Sequence, residues 1–224
     1  GRLPDPKESR MFDAILISSN SGTYASSGSM AARYIVSTSE STQAAMAGGL
    51  LAFGFRHGAA CDAIAQMLQE GMRRKAQGPA IEETAAALVR EYRASGRRRP
   101  GVGSAFYSED PRTVVLFELA QELGFFGDYC RLMQALAQSV SQRGKKGLVV
   151  NEEGAAVAIL CDMLGDDYDW RASNIWHLIG RLPSVAGAAL EELQRAKPDD
   201  RRVPWEYDGP PERDLPQGYH PSQT

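Results

Sequence analysis

The sequence predicts an all-α protein, and two observations carry that expectation. Apolar residues recur every three or four positions through most of the 224-residue chain, the spacing that lines one face of a helix. Strict alternation of apolar and polar residues, the mark of a half-buried strand, is sparse throughout. With 43% apolar residues the chain can bury a sizeable core, and its length suits one or two domains.

From Lys7 to about Ser19, Met11, Phe12, Ile15 and Leu16 fall at helical spacing behind Pro4 and Pro6, which suit a helix start. Asn20 to Thr23 and Ser26 to Gly28 are turn-rich and read as loop. Met30–Ser37 and Thr42–Leu51 read as helices of mostly small residues, which permit close helix approach and predict a buried region. After a Gly-rich turn at Gly54 to Gly58, Ala60–Met72 carries Ile64, Met67, Leu68 and Met72 on one stripe. Ile81–Ala94 is a further helix, with Leu88, Val89 and Tyr92 apolar. The polar, Arg-rich stretch from Ser95 to Pro111 is longer than a simple connection needs, a property of loops that carry function. Helices resume at Thr113–Leu123, Tyr129–Gln142, Glu153–Leu164 and Ile175–Ala196. The tail from Lys197 to Thr224, rich in Pro, Asp and Arg, cannot pack a core and is expected to wrap a neighbour or stay disordered.

A formal charge of −3 gives no electrostatic footprint for nucleic acid or an anionic membrane. The basic clusters Arg97-Arg98-Arg99 and Arg143, Lys145, Lys146 read as solvated surface. No apolar run approaches the roughly 18 to 20 residues that span a bilayer. Cys61, Cys130 and Cys161 are far apart without Cys-x-x-Cys spacing, so neither a disulfide framework nor a metal site is expected, and a cytoplasmic setting is the default. The opening Gly1-Arg2-Leu3-Pro4 lacks a signal-peptide core and reads as the middle of an element, so an N-terminal portion is expected to precede it.

Three loops place ionisable or polar side chains beside glycine at helix edges: Gly54 to Ala60, Gly101 to Arg112, and Val149 to Gly154. A histidine before glycine at a helix start, such as His57, can project into a cleft, and in its neutral form polarise a carbonyl. It can equally just cap or pack. Glu152 and Glu153 open a helix, where negative charge suits the dipole in any protein. Arg112, after Asp110-Pro111, stands at the end of a helix that disfavours cations and is better explained if it binds an anion, a ligand carboxylate being the natural one.

These segments, in order, resemble the citrate synthase superfamily and most closely its short citryl-CoA-lyase-like branch. Ser29-Met30-Ala31-Ala32-Arg33 with Ser37-Thr38 is similar to the family's Ser-Thr-x-Ala-Ala-Arg-x-x-x-Ser-Thr helix. Gly49 to Ala59 looks like its Gly-x-Leu-x-Gly-Pro-x-His-Gly-Gly-Ala loop, and Asn151-Glu152-Glu153-Gly154-Ala155 resembles Asn-Val-Asp-Gly-Ala. Gly180 to Ser184 with Glu191-Glu192 resembles Ala-Arg-x-Pro-Gly and a trailing Glu-Glu, and Tyr207-Asp208-Gly209-Pro210 with Arg213 resembles the short branch's C-terminal motif. The resemblance implies a large helical domain from residues 1–72 and 165–224, a small one from 73–164, and a homodimer that shares residues across its interface. It implies Claisen condensation of acetyl-CoA with oxaloacetate or a related 2-oxo acid, or the reverse cleavage of a citryl-CoA-like thioester, with the coenzyme A ester as substrate. Carried over by position, His57 is the enolate-stabilising histidine and Glu153 the base. Arg112 and Arg181 bind substrate carboxylates, while Arg201 or Arg202 is donated to the partner's site.

The chain also departs from the pattern. Ser104, in Pro100-Gly101-Val102-Gly103-Ser104, occupies the place of the histidine that polarises the acceptor carbonyl. A hydroxyl donates one hydrogen bond but cannot become cationic. Glu153 adds a methylene to the family's aspartate, Ser108 stands near where a basic residue often meets the CoA phosphates, and Ala188 replaces a histidine common in the short branch. Three readings follow: an active enzyme of this type with altered rate or substrate, a related carbon–carbon bond enzyme whose acceptor needs no second histidine, or a catalytically silent paralogue that binds CoA esters or dimerises.

Overall fold

The computed structural model describes residues 2–20, 26–104, 108–141 and 149–195, and among them all regular structure is helical. Nine α-helices follow in order: α1 Pro6–Ser19, α2 Ser27–Ser39, α3 Thr42–Leu51, α4 Cys61–Lys75, α5 Ile81–Ala94, α6 Pro111–Leu123, α7 Asp128–Ser141, α8 Glu152–Leu164 and α9 Ser173–Gln194. Each matches a segment expected from periodicity. Arg201, Arg202, the Tyr207 to Pro210 motif, the whole tail from residue 197, and the Arg143, Lys145, Lys146 cluster lie outside the described residues.

The largest boundary difference is at α2, where Ser26 to Gly28 read as loop. The Ser26 hydroxyl instead caps the helix by accepting from Ser29 N at 3.2 Å. Packing explains the extension: a side chain at Gly49 would lie 2.5 Å from Val185 and 2.9 Å from the Gly28 carbonyl, so glycine lets α2, α3 and α9 close on one another. The burial expected of this region is confined to one stripe, chiefly Ala32, Val36, Ala45 and Gly49, while Leu51 is 86% exposed.

At the centre lies α8, whose residues from Gly154 to Cys161 are all buried. A helix apolar around its whole circumference belongs in a core. Here α1, α4, α6 and α7 surround it. They share one apolar cluster that runs from Met11 and Ile15 through Leu68, Leu132 and Ile159 to Trp176. A second, smaller cluster joins Ala32, Val36, Ala45 and Phe53 to Val185 and Ala189. Helix α9 touches both. Pro183 stands inside it and removes one intrahelical donor where the helix passes from the first cluster to the second.

Polar groups set the helix starts. Asp5 and Glu8 form a reciprocal capping box on α1. The Asp162 carboxylate reaches across from α8 to accept from the Gly127, Tyr129 and Cys130 amides at 2.8, 3.0 and 2.9 Å, which supplies the start of α7. Asp162→Ala strands those amides and is expected to cost about 2 kcal/mol, read as a lower urea midpoint with unchanged slope. Cys61, Cys130 and Cys161 are all buried free thiols, and no helix among the described residues is long and apolar enough to cross a membrane.

Candidate active site

The N-terminus of α8 and the loop before α6 are built as one unit. Asn151 accepts from Gly154 N at 3.0 Å as the cap of α8, while its side-chain amide donates to the Gly103 carbonyl at 3.1 Å. Backbone bonds from Gly103 N to Val149 O, 2.7 Å, and from Asn151 N to Gly101 O, 3.1 Å, tie the two segments together. The approach demands glycine twice: Gly101 has φ +80°, and a Cβ on Gly154 would sit 2.5 Å from the Gly101 carbonyl. Ser104, directly after this bridge, is thereby held close to the start of the helix that carries Glu153.

His57 comes from the turn before α4. His57 N donates to Gly54 O at 2.8 Å and Gly54 N to His57 O at 3.0 Å, closing a turn whose Gly58 has φ +79°. Phe53 fills the space where any Gly58 side chain would go, and its ring stacks near the imidazole at 6.2 Å between centroids. The histidine does not cap α4. That helix begins at Cys61, whose amide is taken by Asn174 Oδ1 at 3.0 Å, while Asn174 N donates to Asp62 at 2.7 Å. Desolvation, then the Arg181 charge, lowers the His57 pKa, so the ring is neutral for those reasons rather than by a helix end.

The third part is α9, which presents His177 and Arg181 one helical turn apart. Both are buried, and Arg181 Nε donates to His177 Nε2 at 3.3 Å. The Arg181 guanidinium also lies 5.7 Å from the centre of the Phe53 ring. Glu153 Oε1 sits 3.5 Å from His177 Nε2, with its side chain 14% exposed.

The two acids differ. Glu152 is the buried one and accepts from the Ser18 and Ser19 hydroxyls at 3.1 and 2.9 Å; burial raises its pKa although Arg181 and Arg112 oppose the rise. Glu153 is raised to about 7 by burial first and the neighbouring Glu152 charge second, against Arg181, Arg112 and the Gly58 amide. Both are therefore more than ordinary first-turn acids at a helix N-terminus. His177 moves the other way, to about 3, through burial and then the charges of Arg181, Arg112 and His57.

A cysteine, a glutamate and a histidine thus meet: the ligand atoms of Cys61, Glu153 and His177 lie within 4.8 Å of one another. Two features oppose a cation among them. Arg181 already donates to His177 Nε2, and both Arg181 and Arg112 act on that ring. Burial, then Glu153 and Glu152, also pushes the Cys61 thiol well above its usual range. The trio is a proton-holding cluster with guanidinium groups around it.

Of the residues singled out from sequence, His57, Glu153 and Arg181 come together here, and Ser104 joins through the loop bridge. Arg112 is placed differently from a cation awaiting a ligand. Its Nε and Nη2 fork onto Asp110, the cap of α6, at 2.9 and 2.6 Å, so the anion at this helix start is in the first instance the chain's own. Ser108 is exposed and Ala188 is buried in the core. Sequence reasoning missed His177 and the deep burial of Glu152. The available signal for His177 was its i, i+4 spacing to Arg181 on an otherwise apolar face.

In an all-helical architecture, a largely buried acid, a neutral histidine and a buried arginine converge from three segments. The model of the citrate synthase C-terminal domain matches residues 1–200, and the chain belongs to that family. Among solved structures it is similar to the citryl-CoA lyase from Hydrogenobacter thermophilus, with 35% identity, 96% of this chain and 82% of that one covered, and a TM-score of 0.78. The fold is shared with citrate synthase from Thermotoga maritima MSB8, at 21% identity, 95% and 56% coverage and a TM-score of 0.69. It is shared too with ATP citrate lyase from Methanothrix soehngenii in complex with citrate and coenzyme A, at 20% identity, 92% and 36% coverage and a TM-score of 0.72. A comparison with curated protein sequences gave no match.

Proposed function

We propose that this protein makes or breaks a carbon–carbon bond alpha to a coenzyme A thioester, by Claisen condensation of acetyl-CoA with oxaloacetate or a related 2-oxo acid, or by cleavage of a citryl-CoA-like ester. The observation that carries the reading is the placement of Glu153 against the turn that bears His57 and 3.5 Å from His177 Nε2, where burial raises its carboxyl to about 7 so that it can take or give a proton near neutral pH. Neutral His57 donates a hydrogen bond to the enolate oxygen without needing to be charged. Arg181 and Arg112 supply positive charge for substrate carboxylates, with Arg112 exchanging or sharing its Asp110 partner. Arg201 or Arg202 reaches the partner's site in a homodimer. Exposed Tyr34, Leu51, Ile175, Ile179 and Leu190 offer the apolar area such a dimer would cover.

The division into residues 1–72 with 165–224 and residues 73–164 belongs to the same proposal, since it puts His57, His177 and Arg181 on one side of the site and Ser104, Arg112 and Glu153 on the other. Three unpaired cysteines suit a cytoplasmic setting. A second reading is favoured by Ser104, whose hydroxyl replaces a histidine donor: a silent paralogue that binds CoA esters or dimerises.

Assays of citryl-CoA cleavage and of acetyl-CoA plus oxaloacetate condensation, with His57→Ala and Glu153→Gln as controls, decide between them. Activity above both controls is expected in at least one direction, and no excess in either sinks the enzyme reading. Ser104→His should raise the rate, by up to about 10²–10³-fold, because one preorganised donor to a developing oxyanion is worth that much. An unchanged rate would mean that another group already serves the acceptor.

A further inference from the structure

His177 plays no part in the reading above, yet its surroundings constrain it tightly. The ring is fully buried, and its Nδ1 has no hydrogen-bond partner among the described residues. Arginine can only donate. Because Arg181 Nε points at Nε2 from 3.3 Å, Nε2 must hold the lone pair, and the hydrogen of the neutral ring sits on Nδ1. Glu153 Oε1 approaches the same Nε2 at 3.5 Å. An ionised carboxylate would set oxygen lone pairs against the nitrogen lone pair, whereas a carboxyl O–H can donate into it.

The remaining charged and titratable neighbours are these. Arg181, Arg112 and His57 act on the ring, Glu152, Arg181 and Arg112 act on the carboxyl, and the Cys61 thiol adjoins both. The guanidinium groups disfavour an imidazolium, and Glu152 disfavours a second carboxylate. The guanidinium groups also oppose a proton on the carboxyl, but burial of both side chains and the Glu152 charge outweigh them and leave the shared proton on the Glu153 side.

We propose that His177 is a positioning residue for Glu153: the single Nε2 lone pair, fixed as an acceptor by Arg181, is shared in a three-centre hydrogen bond with the carboxyl O–H and sets the resting site to give a proton rather than take one. This rests on the acyl-CoA reading of the site and deepens it by naming the step the resting state is ready for. In cleavage, the bond between the carbinol carbon and the thioester's α carbon breaks, and its electron pair goes to the α carbon as an enolate. The hydroxyl proton leaves to water as the ketone forms. Glu153 then passes its proton to the α carbon, and its carboxylate regains one from water, so the proton count closes over the cycle.

Two measurements test this without relying on turnover. Nitrogen-15 shifts of the histidines in the full chain should show His177 neutral with hydrogen on Nδ1; hydrogen on Nε2 overturns the proposal. Infrared difference titration, with Glu153→Gln as the blank, should show the Glu153 carbonyl stretch of the protonated acid through neutral pH. In His177→Leu the Arg181 donor is freed toward the carboxylate, so the titration midpoint should fall by about one pH unit or more. His177→Gln, which keeps an acceptor, should restore the midpoint. A midpoint in His177→Leu equal to wild type overturns the proposal, and so does a Gln variant that behaves like Leu. If the tautomer and midpoints are as stated while wild type neither cleaves citryl-CoA nor condenses acetyl-CoA with oxaloacetate, the functional reading falls and the assignment of His177 stands.

Discussion

Glu153→Gln is expected to lower the thioester reaction by about 10²–10⁴-fold, the usual worth of a positioned acid–base group, while making the folded protein harder to unfold above neutral pH. The amide keeps the shape of the protonated acid and can no longer exchange a proton. Stability moves the opposite way because the folded-state pKa of Glu153 is raised from 4.5 to about 7. Between those values the native state holds more protons than the unfolded chain, so wild-type stability is fully supported below 4.5 and declines as pH rises toward 7. The decline is on the order of 3 kcal/mol, at 1.36 kcal/mol per unit. Urea unfolding at pH 8 should therefore show the variant more stable than wild type, with the difference vanishing near pH 4. Equal stability at both pH values would show that Glu153 is not held in its raised state. His177, depressed to about 3, contributes on the other flank, where stability is lost as pH falls below 6.5. The same titration gives the pH–rate profile its sign. If Glu153 acts as the acid, cleavage falls as pH rises through about 7; as the base, condensation rises there.

His57→Ala should cost about 10²–10³-fold in rate, as loss of one donor to an oxyanion does, and equally in both directions, because the enolate is common to them. Its effect on stability should stay within about 0.5 kcal/mol, since His57 is only partly buried and caps no helix. A large fall in thermal midpoint would mean that the ring is a structural prop against Phe53. Gly58→Ala makes the contrast: with φ +79° and Phe53 in the way, it should lose activity through the collapse of the turn.

Helix positions were legible because most helices keep an apolar stripe, α2 and α3 a run of small residues and α8 an unbroken apolar run, all local properties of the chain. Cap chemistry was partly legible. Asp110-Pro111 and Asn151-Glu152-Glu153 mark starts that the structure uses, but the cap at Ser26 read as loop because close packing at Gly28 and Gly49 is a long-range matter. Within the site, His57, Glu153 and Arg181 were legible from motif order, and Ser104 from its departure. His177 was not, because a histidine on an apolar helix face looks the same in sequence whether it faces lipid-like packing or a carboxyl.

By itself, then, the sequence determined an all-helical chain, its family resemblance, and which residue types differ at the site, since periodicity, glycine placement and motif order are written along one dimension. Only the tertiary structure decided the state of those residues. Arg112 found its anion in Asp110, Glu152 was buried under two serine hydroxyls, and Glu153 met His177 from a helix end and a helix face 24 residues apart in sequence. Proton affinity depends on desolvation and on charges brought close by packing, which chain order does not specify.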